Sequence, residues 1–288
     1  MTNTGTREKA LPYILVLPAF VLIFLFKLYP IFYSLMESVF VNGTFTLRTY
    51  ETLIQDSTFW HALWVTIKMN IVMIPLQIII SFCMAMIVNS TVKGIGVFRT
   101  IFYLPVTISL TVATILWDMM LSPNNGVINS LLSVFGIPAQ GFMASKSQAL
   151  WSIVIIATWK GCGYWMMFLL TGLKNIDPFM YEAAKIDGCN WFQTVTRITI
   201  PLMKRILLFV CVANTTANIL LFVPMHLVTQ GGPQDSTNVL MYEAYKSAFK
   251  YGNRPRSSAI VGVLLVLIVL ICGAQFKLLN EKEERTDG

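Results

Sequence analysis

Asp118, Lys160, Tyr164, Asn214 and Asn218 are polar residues set in stretches that are otherwise almost wholly apolar. Ionisable groups inside a membrane span cost about 2.5–3.5 kcal/mol each on insertion scales, so such residues are read first as functional. Lys160 and Tyr164 stand four apart and share one helix face, with Trp159 and Gly161 adjoining; Asn214 and Asn218 repeat that spacing beside Thr215 and Thr216. Amides and hydroxyls make bidentate hydrogen bonds to sugar hydroxyls, and aromatic faces pack on sugar C–H groups. The chemistry on offer is therefore binding of a polyhydroxylated solute. A catalytic constellation is not visible: the two histidines are far apart and the apolar stretches carry no paired carboxylates. Two partners are open to Lys160. It pairs with Asp118, neutralising two expensive charges, or it receives the phosphate or carboxylate of an anionic solute. Asn70 and Gln77 read as interhelical hydrogen bonders, Lys27 and Lys68 as side chains reaching back to the headgroups, and His226 as a structural hydrogen bonder.

The elements that must position these residues are spans. The 288 residues are 56% hydrophobic and 12% charged, against about 25% charged in soluble domains. Six apolar runs, at about 11–36, 66–88, 100–121, 149–173, 206–228 and 258–276, have the ~20 residues that crossing ~30 Å of hydrocarbon demands. Long non-alternating runs must be helices in lipid, because only a helix satisfies its own backbone. The fold class expected is an all-α polytopic membrane protein of six transmembrane helices. The first run is longer than a signal-peptide core and is kept as a span. The net charge of +7 is scattered over loops and gives no nucleic-acid signature. Of the 21 lysines and arginines, 12 fall on the side of the termini, six in the opposite loops and three at or within spans. That bias places both termini in the cytoplasm, although four of the outer charges cluster at 246–256. Cys83, Cys162, Cys211 and Cys272 lie in spans and Cys189 in a polar loop, which implies no disulfide framework.

Between the fourth and fifth runs the character changes. Asp177-Pro178 has the form of an N-cap followed by proline at the first helical position. Phe179, Met180, Ala183, Ala184 and Ile186 supply an apolar stripe, with Glu182, Lys185 and Asp187 on other faces. Gly188 is placed to close that helix in a left-handed turn, and Asn190 with Gln193 forms a capping box opening a second helix through Trp191 and Phe192. A helix–turn–helix with bare apolar residues either lies on lipid headgroups or waits for a partner protein.

Glu182-Ala183-Ala184, three residues, Gly188, nine residues, Ile198, one residue, then Ile200-Pro201 resembles the EAA loop of permease subunits in binding-protein-dependent ABC importers. Ile200 replaces the usual leucine. Gly231-Gly232-Pro233 and the stretch WDMMLSPNNGVIN from Trp117 to Asn129 resemble the carbohydrate branch, which includes maltose and glycerol-phosphate permeases. The resemblance implies that this loop docks on a cytoplasmic ATPase subunit. Glu182 would pair with a basic residue there, Ala183, Ala184 and Asp187 would complete the docking helix, Gly188 would permit the turn, and Trp191 and Phe192 would seat it. Counted without gaps from Glu182, Gly161, Tyr164 and Asn218 fall where the maltose permease has the same residue types at its sugar site. Asn214 falls on a further polar position, whereas Ala157, Lys160, Ala217 and Leu221 depart from it. In the same family the loop at 229–257 meets the substrate-binding protein. Val239, Met241, Tyr242, Tyr245 and Phe249 there suggest a short amphipathic helix, whose alternative use is anchoring at the lipid interface.

The chain has no G-x-x-x-x-G-K-[ST] stretch to cradle ATP. No cofactor is expected on this chain itself; ATP and Mg would be used by a partner ATPase dimer. The other partners implied are a second homologous permease, an extracytoplasmic solute-binding protein and membrane lipid, with no nucleic acid. The expected organisation is an N-terminal segment with the first span at 1–65, a permease core at 66–276 and a cytoplasmic tail at 277–288, in a prokaryotic cytoplasmic (inner) membrane. The rival function is an ion-gradient-driven secondary transporter. It would need internal repeats or broken helices with coupled acids at the midplane, for which Asp118 is the one candidate.

Overall fold

The computed structural model describes residues 4–41, 43–90 and 92–284. Of the basic residues that set the expected orientation, Arg7, Lys9, Lys282 and Arg285 lie outside the described side chains, and 285–288 of the expected tail lie outside the described backbone. The chain divides into two compact units, Met1–Asp56 with Ala244–Val263, and Ser57–Glu243 with Leu264–Gly288.

In the first unit, helix α1 (Thr4–Ile23) runs through a π turn at Phe24–Leu28 into α2 (Tyr29–Val39), and Leu15–Val39 is long and apolar enough to cross a membrane. A two-stranded hairpin, β1 (Phe40–Val41) and β2 (Thr44–Phe45), turns on Gly43 at φ +80°, where a side chain would be strained. Helix α3 (Arg48–Gln55) follows. It is tied to α2 by Ser38 and Tyr50, whose hydroxyls are 2.9 Å apart.

The second unit is built on α4 (Ser57–Val88) and α8 (Ala149–Lys174). The apolar window of α8 is 61% buried, against 28% for α4, so α8 is the central post. Small residues let its backbone approach its neighbours. A Cβ on Gly163 would lie 2.2 Å from the Phe102 carbonyl oxygen, and one on Gly172 would lie 2.5 Å from Ile206 Cγ2. The Ser81 hydroxyl donates to the Cys162 carbonyl at 3.0 Å, pinning α4 to α8. Below this, Ala85, Val88, Trp165, Met166, Leu169, Leu170, Leu173, Met203 and Val210 form one buried cluster.

Two of the six expected runs are not single long helices. The run at 100–121 is a pair, α5 (Ile95–Thr107) and α6 (Leu110–Met120), bent by 97°. Pro105 removes a helical donor. Thr107 Oγ1 donates to the Leu104 carbonyl at 2.7 Å, and Ser109 Oγ accepts from Val112 N at 3.2 Å, so α6 begins afresh with its own cap. The run at 206–228 is α12 (Lys204–Ile219), 16 residues long, which stops before a short helical turn at Met225–Thr229. Among the described residues four helices, Leu15–Val39, Ser57–Val88, Ala149–Lys174 and Arg254–Leu278, are long and apolar enough to span, or five if the bent pair is one span. The last belongs to α14 (Arg254–Glu284).

After α6, helix α7 (Val127–Val134) is held by Asn129, whose amide nitrogen donates to the carbonyls of Ser122, Pro123 and Gln140 while its oxygen accepts from Gln140 N. The WDMMLSPNNGVIN stretch is thus a folded corner, and Gly126 is required in it because a Cβ would meet the Ser122 carbonyl oxygen at 2.4 Å. Further along, α13 (Leu240–Tyr245) forms where an amphipathic helix was expected, and Val239, Leu240 and Tyr242 are buried, leaving Phe249 exposed. All five cysteines are free.

A Gly163→Val substitution is expected to separate α5 from α8 and lower stability by about 1–3 kcal/mol. Gly273→Val, on α14 with open space around it, is expected to change little. Thermal unfolding of the two variants in detergent measures the difference.

Candidate functional site

The expected helix–turn–helix forms. Helix α9 (Pro178–Ile186) opens with the Asp177 carboxylate accepting from Phe179 N at 3.0 Å. It closes through Asp187 N and Cys189 N, which donate to the carbonyls of Ala183 and Ala184, with Gly188 at φ +75° making the left-handed turn. Asn190 then caps α10 (Trp191–Thr194) reciprocally: its Oδ1 accepts from Gln193 N and its own N–H donates to Gln193 Oε1, both at 2.9 Å. A π turn at Val195–Thr199 carries the helix into α11 (Ile200–Leu202), and after Met203 comes α12. Val195 and Thr199 are buried, and the Tyr181 hydroxyl lies 3.4 Å from Thr199 Oγ1, tying α9 to the turn.

The same segment is bare on its other side. Phe179 is 74% exposed, Ile186 86%, Trp191 70% and Phe192 67%. Glu182, Ala183 and Asp187 are exposed around them, and Ala184 is buried. The caps at Asp177, Gly188 and Asn190 hold the shape by local hydrogen bonds, while the apolar side chains stay largely exposed.

Inside the second unit the polar residues meet at Gln77. Its Oε1 accepts from Asn214 Nδ2 at 2.6 Å and from Asn218 Nδ2 at 2.9 Å, and Asn218 Nδ2 also lies 3.0 Å from Asn214 Oδ1. Gly161 stands against the same amide, its would-be Cβ 3.5 Å from Gln77 Nε2. Asn214 is fully buried, so it faces Gln77 and Asn218 rather than open space, and Asn218 is the more accessible of the two. Tyr164, half-exposed, packs edge-on to Phe168 at 5.1 Å, and Phe168 reaches Phe209 of α12 at 5.4 Å.

Lys160 does not pair with Asp118. Its ammonium donates to the Val106 carbonyl at 3.0 Å, one residue from the end of α5, and no ion pair joins it to Asp118. The cause is the bend: where α5 stops, its last carbonyls lose their helical partners, and a cation at a helix C-terminus is favourable. Beside it Trp117 meets Trp159 edge-on at 5.5 Å. Lys68, expected to reach for headgroups, stands 5.4 Å over the Trp151 ring. Sequence reasoning placed Gln77 correctly between helices but did not see that one oxygen serves both asparagines. Gly161 opposite it was the available signal.

Residues 77–284 match the family of binding-protein-dependent transport system inner membrane components. The chain belongs to that family. Among its members, the lactose transport system permease protein LacF of Rhizobium radiobacter is 34% identical over 269 residues, 90% of each chain. The trehalose/maltose transport system permease protein MalF of Thermococcus litoralis is 28% identical over 270 residues, 91% of each chain. The fold matches a chain in the crystal structure of a bacterial alginate ABC transporter bound to an alginate-pentasaccharide-loaded periplasmic protein, with TM-score 0.83, 21% identity and 94% of each chain covered. The protein is a multi-pass membrane permease subunit of such a transport system.

Gln77→Leu is expected to leave the two asparagine amides of α12 without their acceptor. The loss is about 1–3 kcal/mol of stability, read as a lowered unfolding temperature in detergent.

Proposed function

We propose that this chain is the permease subunit of an ATP-driven importer of a sugar or oligosaccharide, and that residues 177–202 receive the stroke of a separate ATPase dimer on the cytoplasmic side. The observation that carries the reading is the bare apolar face of Phe179, Ile186, Trp191 and Phe192 on a helix pair whose own ends are fully capped. A pair resting in headgroups would not need that rigidity. Glu182, exposed beside this face, supplies a carboxylate for a basic residue of the ATPase. The sugar is argued from the relatives, which carry lactose or trehalose and maltose by name. A second permease, an extracytoplasmic binding protein and both termini in the cytoplasm complete the assembly.

The path of the stroke follows the chain. Helix α10 leads through the π turn and α11 to α12, the helix that carries Asn214 and Asn218. A push on Trp191 therefore reaches the polar cluster along one run of backbone, guided by the Gly172 contact with Ile206. Asn218, Tyr164 and Gly161 would face the solute, with Asn214 and Gln77 positioning Asn218 behind them. Lys160, with one partner at Val106, and Asp118 would border that path.

Trp191→Ala with Phe192→Ala is expected to reduce co-purification of the ATPase by at least about tenfold, given that buried aromatic anchors are worth ~2 kcal/mol or more each. The variant should still insert, and uptake into vesicles supplied with ATP but no ion gradient should fail. Full retention of the ATPase, or uptake driven by an ion gradient alone in the unaltered protein, refutes the reading.

A further inference from the structure

A second polar site lies in the first unit. A cavity of about 260 Å³ is lined by Val41, Thr46, Arg48, Thr49, Asn253 and Arg256, among others. Arg256 is anchored: its guanidinium forms an ion pair with Asp56 at 2.6 Å and donates to Ser247 Oγ. Asn253 Oδ1 in turn caps α14 by accepting from Arg256 N at 3.1 Å. These contacts build a fixed wall. Arg48 differs. Its backbone N–H donates to Thr46 Oγ1 at 3.2 Å, yet its side chain has no partner among the described residues. A guanidinium offers five donors in a planar fork suited to phosphate oxygens, and here it faces threonine hydroxyls and a second arginine already neutralised by Asp56.

The level of the cavity selects its occupant. One candidate span ends at Val39 and another begins at Arg254, so Val41–Thr52 and Asn253–Arg256 sit where apolar helix gives way to polar loop. Phe40 and Phe45 pack edge-on at 5.6 Å and are 44% and 65% exposed, and Tyr251 is exposed as well. Aromatic rings bared at span ends mark the headgroup region.

We propose that the Arg48–Arg256 cavity binds the phosphate of an anionic phospholipid headgroup, fixing α2, α3 and the start of α14 at the membrane surface. The ligand chemistry is a phosphodiester carrying net negative charge, delivered from the bilayer.

The test titrates the purified full-length chain in detergent with phosphatidylglycerol, phosphatidylcholine and inorganic phosphate, following occupancy by native mass spectrometry. Phosphatidylglycerol is expected to bind in preference to phosphatidylcholine. Arg48→Ala is expected to weaken it about fivefold, the worth of one basic side chain near an anionic surface. Arg48→Lys should keep most of the affinity, and Lys93→Ala, on the loop after α4, should change nothing. Arg48 has no partner to lose, so the unfolding temperature of Arg48→Ala in lipid-free detergent should equal that of the unaltered chain. The proposal is overturned if Arg48→Ala binds lipid as Lys93→Ala does. It is equally overturned if inorganic phosphate binds as tightly as the lipid, or if Arg48→Ala spares lipid binding and instead weakens capture of an extracytoplasmic binding protein.

Discussion

A helix that stops within an apolar stretch leaves carbonyls with nothing to bond, and this chain contains such a stop between Thr107 and Leu110. The α5–α6 bend at 97° is tolerable because Lys160 reaches the Val106 carbonyl and Ser109 caps the next helix. Much else depends on that repair. For the lysine to reach, α8 must lie hard against α5, which Gly163 permits. With α8 so placed, Gly161 stands against Gln77 and the amides of α12 come within reach of it. The bend, the glycines and the polar cluster are one arrangement.

The helix pair at 177–202 obeys the opposite rule. It satisfies its polar groups locally, through Asp177, Gly188 and the Asn190–Gln193 box, and leaves its apolar groups unsatisfied. A segment built that way keeps its shape in the absence of a neighbour and gains by acquiring one. Its chain runs on through α11 and Met203 into α12, the helix that carries Asn214 and Asn218.

How much of this was legible depended on how local the cause was. The caps at Asp177, Gly188 and Asn190 were readable because each is decided within four residues. The apolar runs at 66–88, 149–173 and 258–276 were readable as parts of long helices, because lipid thickness dictates length. The breaks were not. Leu220, Leu221 and Phe222 keep the hydropathy high across the end of α12, and Ile108 does the same between α5 and α6, so apolar runs conceal where the helix ends. The contact of Lys160 with the Val106 carbonyl was hidden for the same reason. A side chain that bonds a freed carbonyl cannot be paired correctly until the interruption that frees it is known. Arg48 is one of the six basic residues counted in the outer loops, and its setting is made by residues two hundred positions away.

Gln77 Oε1 has two lone pairs, and both are engaged by asparagines of a single neighbouring helix. That oxygen has no vacancy left. For α12 to slide along α4, both amides must leave it together and find new acceptors, so the pair works as a latch whose two halves open as one.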